Sequence, residues 1–237
     1  MKLSAPIYRL KRQARILSRS EGIPHHQALN RIARMEGFNS WSLLASQAAE
    51  HRPSKRLITE LQPGDLVLVG ARPGHGKTLL SLELAVEAMK AGHRSVFFSL
   101  ECTRADVLEY YAAIGERPDR YADQFEFDDS DEICATYMTG RLQSAAPGTT
   151  VVVDYLQLLD QKRDNLALVD QIRHLKAFAA DRGMIIVFVS QIHRGYDTTD
   201  RPIPALKDVR LPNPLDLTLF DKACFLHAGQ LEFAAIG

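Results

Sequence analysis

The chain has 237 residues, of which 46% are hydrophobic and 24% charged, and its formal net charge is zero. That length suits one α/β domain with a small appendage, and no apolar run approaches the ~20 residues of a membrane span. Cys102, Cys134 and Cys224 lie far apart and form neither a metal spacing nor a disulfide framework. The basic N-terminus lacks the apolar centre of an export signal, so a reducing cytoplasm is the expected setting.

The zero net charge conceals a split. Residues 1–56 hold 11 Lys/Arg against 3 Asp/Glu, a net of +8, and the remainder hold 18 against 26, a net of −8. Such a split predicts two modules, a basic helical one over 1–52 and a larger one over 57–237. The first suits nucleic acid or an acidic protein surface; a solvated arginine-rich face, or docking on the acidic half of the same chain, are the other readings.

In chain order, residues 5–50 predict three short helices. Ile7, Leu10, Ala14 and Leu17 recur at helical spacing, Gly22-Ile23-Pro24 breaks the run, and Pro24 opens the next helix. Leu29, Ile32 and Ala33 mark the second helix, with Gly37 as a left-handed cap. Asn39 or Ser40 caps a third helix, whose Trp41 is expected at the centre of a mini-core. His51-Arg52-Pro53-Ser54-Lys55 reads as a linker.

From residue 57 the pattern becomes strands alternating with helices, which implies a mainly parallel sheet flanked by helices. Strands are predicted at 66–69, 95–100, 125–127, 150–153 and 184–189, with apolar runs at 223–226 and 231–235. Helices are predicted at 77–91, 103–114, 131–142 and 166–181. The stretch 119–132, with seven Asp/Glu and one Arg, predicts a loop around a short strand.

The strand at 66–69, a Gly/Pro-rich turn and Gly76-Lys77-Thr78 opening a helix form the P-loop arrangement for ATP: Ala71-Arg72-Pro73-Gly74-His75-Gly76-Lys77-Thr78. Backbone N–H groups of such a turn point at phosphates, and glycine at 74 and 76 permits close approach and positive φ. Lys77 reaches the β- and γ-phosphates and the Thr78 hydroxyl ligates Mg²⁺. The strict pattern wants glycine at 71, where this chain has Ala71 after Gly70. Hydrolysis also needs carboxylates at strand ends. Asp154, closing Val151-Val152-Val153, suits Mg²⁺ held through water, and Glu101, after Phe97-Phe98-Ser99-Leu100, suits the attacking water. A first-turn helix acid is the other reading of Glu101. Gln191 either senses the γ-phosphate or hydrogen-bonds a loop.

These segments together resemble the RecA-like motor domain of DnaB-type replicative helicases. The P-loop beginning with Ala71 looks like the family's, whose first position is also alanine. Phe97 to Glu101, Asp154-Tyr155-Leu156-Gln157-Leu158, Leu175-Lys176-x-Phe178-Ala179, Val189-Ser190-Gln191-Ile192-x-Arg194 and Asp208-Val209-Arg210 resemble its later motifs in the right order over roughly 60–228. The resemblance implies an ATPase acting as a DNA helicase or single-strand translocase in replication or repair. Glu101, Lys77 and Gln191 would be catalytic, Thr78 and Asp154 would hold Mg²⁺, and a homo-oligomer, as a ring, is implied. The loop from Arg194 to Pro214 would face single-stranded DNA through Arg194, Lys207 and Arg210, although Asp197, Asp200 and Asp208 nearly offset its charge.

Three departures bear on that expectation. Ala28-Leu29-x-Arg31-Ile32-Ala33 and Gly37-Phe38-x-Ser40-Trp41 are similar instead to a small helical segment of other bacterial proteins, some called glyoxalase-related. The acidic region 116–132 is compact for the family. The family continues into a Lys-x-Arg hairpin that reaches the neighbouring subunit's ATP, whereas no Lys or Arg follows Lys222 here. Such a finger is worth about 10³–10⁵ in rate where weighed. Beside the helicase reading the departures leave an alternative: a slow ATP-binding switch working through a protein partner of the basic module.

Overall fold

The computed structural model describes residues 3–5, 7–50, 52–160, 165–199, 201–211, 213–227 and 230–236. His51 of the expected linker and Asp200 of the expected DNA-facing loop lie outside the described residues. The chain divides into two compact units, Met1–Lys55 and Arg56–Gly237.

The first unit contains α1 (Ile7–Glu21), α2 (His25–Met35) and α3 (Trp41–Glu50). Gly22, at φ 64°, ends α1, and the Pro24 carbonyl accepts the N–H groups of Gln27 and Ala28 in the first turn of α2. Gly37, at φ 85°, ends α2 in a Schellman motif: Phe38 N–H donates to the Ala33 carbonyl at 2.9 Å and Gly37 N–H to Arg34 at 3.0 Å. Ser40, rather than Asn39, caps α3, its Oγ accepting from Leu43 N–H at 3.2 Å. Leu10, Ala14, Ala28, Ile32, Ala33 and Leu44 form the buried mini-core. Trp41 packs against it half-buried, so the centre expected for Trp41 belongs to Leu10 and Leu44.

The expected linker at 51–55 is corrected by α4 (Pro53–Glu60). Pro53 sits at the first helical position, where its missing N–H costs nothing, so a residue read as loop punctuation opens a helix. Leu57 on α4 and Leu61 just after it are buried in one of the sheet's two cores.

The second unit is a seven-stranded sheet: β1 (Leu66–Ala71), β2 (Ser95–Ser99), β3 (Phe125–Asp128), β4 (Thr150–Asp154), β5 (Ile185–Gln191), β6 (Lys222–His227) and β7 (Gln230–Ala235). Its order is β3-β2-β4-β5-β1-β6-β7, parallel throughout except for the antiparallel β6–β7 hairpin. Around it lie α5 (Lys77–Lys90), α6 (Arg104–Ile114), α7 (Ala135–Arg141) and α8 (Leu168–Arg182). Alternate strand residues enter different cores. Leu66, Leu68, Phe98, Val153 and Phe188 pack with residues of α7 and α8, whereas Val67, Val69, Phe97, Val152 and Val187 pack with residues of α5 and α6. Strands covered on both faces have to be apolar at every position, which is why β1 and β4 read as unbroken apolar runs.

The helix expected at 131–142 is α7, shortened at its start. Asp128 Oδ1 accepts from Ser130 N–H and Ser130 Oγ from Glu132 N–H, side-chain turns that occupy the chain just ahead of α7. The acidic stretch is partly neutralised by Arg141, which pairs with Glu126 and Asp128. All three cysteines are free, and Cys102 and Cys224 are buried. Among the described residues no helix is long and apolar enough to cross a membrane.

Candidate nucleotide site

β1 is buried along its length and ends at Ala71; the turn Arg72–Gly76 then delivers Lys77 as the first residue of α5. Gly74 and Gly76 hold φ of 76° and 91°, the left-handed region open to glycine. Ala71 lies instead in the strand, paired with Gln191 on β5 and Leu226 on β6, so extended backbone suffices and glycine is not required there. Gly70 is constrained by space: a Cβ there would meet the Phe225 ring at 2.8 Å.

The order β4-β5-β1 brings the carboxyl ends of three strands together. Asp154 ends β4, and Ser99 ends β2 directly beside it in register. Glu101 follows two residues beyond Ser99, whose Oγ accepts from the N–H groups of Glu101 at 3.1 Å and Cys102 at 3.3 Å, fixing the turn that presents the glutamate. Lys77, 8% exposed, reaches between the two acids. Its Nζ stands 3.3 Å from Glu101 Oε2 and 3.4 Å from Asp154 Oδ1. Asp154 is fully buried, and its Oδ2 has no hydrogen-bond partner. Burial, with Asp154 and Glu101 nearby, pushes the neighbouring Cys102 thiol up to about 11, so it is an inert packing group. Thr78 is half-buried in the first turn of α5.

The Arg72 and His75 side chains are engaged outside this triad. Arg72 makes a fork with Asp197, Nε to Oδ1 at 2.9 Å and Nη2 to Oδ2 at 2.6 Å, and Nη1 donates to the Ile192 carbonyl at 3.0 Å. Hydrogen bonds from Arg72 hold the Asp197 carboxyl below its usual range. His75 stacks on His227 with ring centroids 4.8 Å apart. The contribution left to Arg72 at a phosphate is therefore its backbone.

Gln191 ends β5 half-buried, and its backbone and side chain both face Arg210. Arg210 N–H donates to the Gln191 carbonyl at 2.8 Å and Arg210 Nη1 to Gln191 Oε1 at 3.4 Å. Gln157 adds a tie, its Nε2 donating to the Arg210 carbonyl at 2.6 Å and to Ser190 Oγ at 3.3 Å. In the loop, Arg201 forks onto Asp208 at 2.6 and 2.7 Å and lies over the Tyr196 ring. The charges expected to offset one another across the loop are thus spent on particular partners: Asp197 on Arg72 and Asp208 on Arg201. Arg194, Lys207 and Arg210 are exposed. The Arg72–Asp197 fork and the Gln157 tie went unread in the sequence. Gln157 sat inside a recognised motif, but its partner is over fifty residues away; Arg72 and Asp197 are farther apart still.

A mainly parallel sheet, a P-loop between β1 and α5, and acids at the ends of neighbouring strands define a RecA-like P-loop NTPase fold. A solved DnaB-like replicative helicase, described with its interactions with primase, shares that fold, with a TM-score of 0.59 and 16% identity over 91% of this chain and 64% of that one. So does a KaiC-like protein from the hyperthermophilic archaeon Pyrococcus horikoshii OT3, with a TM-score of 0.52 and 16% identity over 70% of this chain and 74% of that one.

The family model for the DnaB-like helicase C terminal domain matches residues 52–117 and 119–215, and the chain belongs to that family. It is 26% identical over 185 residues to the replicative DNA helicase DnaB of Leifsonia xyli subsp. xyli, a match covering 65% of this chain and 40% of that protein. The chain spans about two fifths of the length of the first curated relatives it matches.

Proposed function

We propose that this chain binds ATP with Mg²⁺ on the Ala71–Thr78 turn, hydrolyses it, and uses the cycle to move on single-stranded DNA as a helicase motor. The observation that carries this reading is the convergence of Lys77 on Glu101 and Asp154 within 3.4 Å. Its family membership supports hydrolysis over a slow switch.

The residues present fit a hard cation. A fully buried carboxylate whose Oδ2 lacks a partner is costly without one. Among the described residues there is no cluster of three His, Cys, Asp or Glu that could cage a metal alone. Asp154, Thr78, phosphate oxygens and water would complete the sphere, as Mg²⁺ prefers. Magnesium, when bound, neutralises charge on the phosphates.

Lys77 exchanges its carboxylate partners for phosphate oxygens. Glu101, released and 38% exposed, orients the attacking water and accepts its proton. Gln191 responds to the γ-phosphate, and its contacts with Arg210 carry that response to the segment whose Arg194, Lys207 and Arg210 hold the single strand. Family membership also supports assembly with further copies, in a ring, around that strand.

The test is ATP turnover with and without single-stranded DNA. Turnover is expected to rise with DNA and to fall by roughly 10²–10³-fold or more in Lys77→Ala. Equal turnover with and without DNA would sink the motor reading, and turnover unaffected by Lys77→Ala would sink the site.

A further inference from the structure

The nucleotide-site residues named above all lie within Arg56–Gly237, and the charge of the basic helical unit follows a pattern of its own. The unit Met1–Lys55 holds 10 Lys/Arg against three carboxylates, Glu21, Glu36 and Glu50, too few to neutralise them. Arg31 pairs with Glu21 at 2.5 Å and still remains 57% exposed. Lys11 has its pKa lowered, first by burial and then by Arg52 and Arg15.

The cations are ordered by the helices. On α1, Arg9, Arg12, Arg15 and Arg19 fall within an arc of about 120° at 100° per residue, opposite the Leu10, Ala14 and Leu17 side that meets the mini-core. On α2, Gln27, Asn30, Arg31 and Arg34 follow i, i+3, i+4, i+7 spacing and line a groove together with Ile23. Gln27, Arg31 and Arg34 are exposed on that face, while Asn30 accepts from Trp41 N–H at 2.9 Å.

We propose that this unit binds double-stranded DNA, with the Gln27–Arg31–Arg34 face of α2 in the major groove and the arginines of α1 on the flanking phosphates. The major groove admits one α-helix, and Gln and Arg are residue types that hydrogen-bond base edges there. The three-residue turn Gly22-Ile23-Pro24, with glycine at positive φ, joins α1 and α2 as in helix-turn-helix units. A single strand would want exposed aromatic platforms, but among the described side chains of this unit the aromatic rings of Phe38 and Trp41 are packed against the mini-core. This contact uses residues other than those of the motor loop, so the chain would hold duplex and single strand through different side chains.

The experiment is fluorescence anisotropy of the full chain, without nucleotide, against a short labelled duplex and a single strand of equal length over a salt series. The duplex is expected to bind more tightly. Arg31→Ala with Arg34→Ala should weaken duplex binding by about tenfold or more, and Arg12→Ala with Arg15→Ala should do so while reducing the log–log salt slope by roughly 2. Arg117→Ala with Arg173→Ala, exposed arginines of the sheet unit outside both DNA-facing sets, should leave duplex affinity unchanged. Because alanine variants can fail by unfolding the unit, Arg31→Lys with Arg34→Lys is measured too, and retention of the salt slope with weaker binding is expected. Unchanged affinity in both alanine pairs would overturn the proposal. So would a single strand bound as tightly through the same arginines, or polyglutamate displacing the duplex better than unlabelled duplex does.

Discussion

The helical unit and the sheet unit bury apolar surface on different scales. The helical unit rests on Leu10, Ala14, Ala28, Ile32, Ala33 and Leu44, half of them alanines, whereas the sheet unit has a core on each face of seven strands. A core of six small or medium side chains encloses little beyond itself, so most of the unit's charges lie at its surface and act through net charge. The sheet can hold one: Asp154 is fully buried beside Lys77 because β2, β5 and the P-loop enclose it.

That contrast predicts where substitutions act. The largest effect is expected from Glu101→Gln, which removes the proton acceptor while preserving shape. ATP turnover should fall by roughly 10²–10⁴-fold with nucleotide affinity retained, as separate turnover and binding measurements would show. Loss of binding in place of turnover would make Glu101 structural and erase the chemical half of the contrast.

Leu44→Ala should cost the helical unit about 2–5 kcal/mol. A core that small has little to spare, so amide exchange in α1–α3 should accelerate while ATP turnover persists. Simultaneous loss of both would show that the two units fold as one.

Arg201→Gln leaves the nearly buried Asp208 without its fork and should loosen the loop that the fork holds. DNA-stimulated turnover should drop more than basal turnover, since the loop loses its anchor while the triad is untouched. A uniform drop in both would argue against a separate DNA-facing segment.

The smallest effect is on acid stability. Arg201 hydrogen bonds hold the Asp208 carboxyl below the ordinary range, so the ion pair stabilises the fold at neutral pH. Its contribution is lost as pH falls below the usual aspartate value of about 3.9 and through the lower folded-state value. Thermal melts of Asp208→Asn and the unmodified chain should therefore differ at neutral pH and converge in acid. A gap that persists there would assign the effect to something other than this charge.

Much of the fold was legible because its signals are local. Unbroken apolar runs mark strands covered on both faces, and Gly37 at the end of an amphipathic helix marks a cap. The misreadings were local too. Pro53 serves a turn or a first helical position equally well, and only the burial of Leu57 and Leu61 decides between them. At 130–132 the side chains of Asp128 and Ser130 hold the chain in turns ahead of α7, which helical periodicity does not register.

The candidate site divides along the same line. The sequence by itself determined that a phosphate-binding turn follows β1 and that Asp154 and Glu101 lie at or just past strand ends, because glycine spacing and strand periodicity are short-range properties. Tertiary structure decided that Lys77 lies between both acids, that Asp154 Oδ2 is left without a partner, and that Arg72 and Arg201 are engaged by Asp197 and Asp208. These contacts join residues tens to more than a hundred positions apart, except for Arg201 and Asp208. Their formation depends on which strands the sheet places side by side, and no local pattern encodes that order.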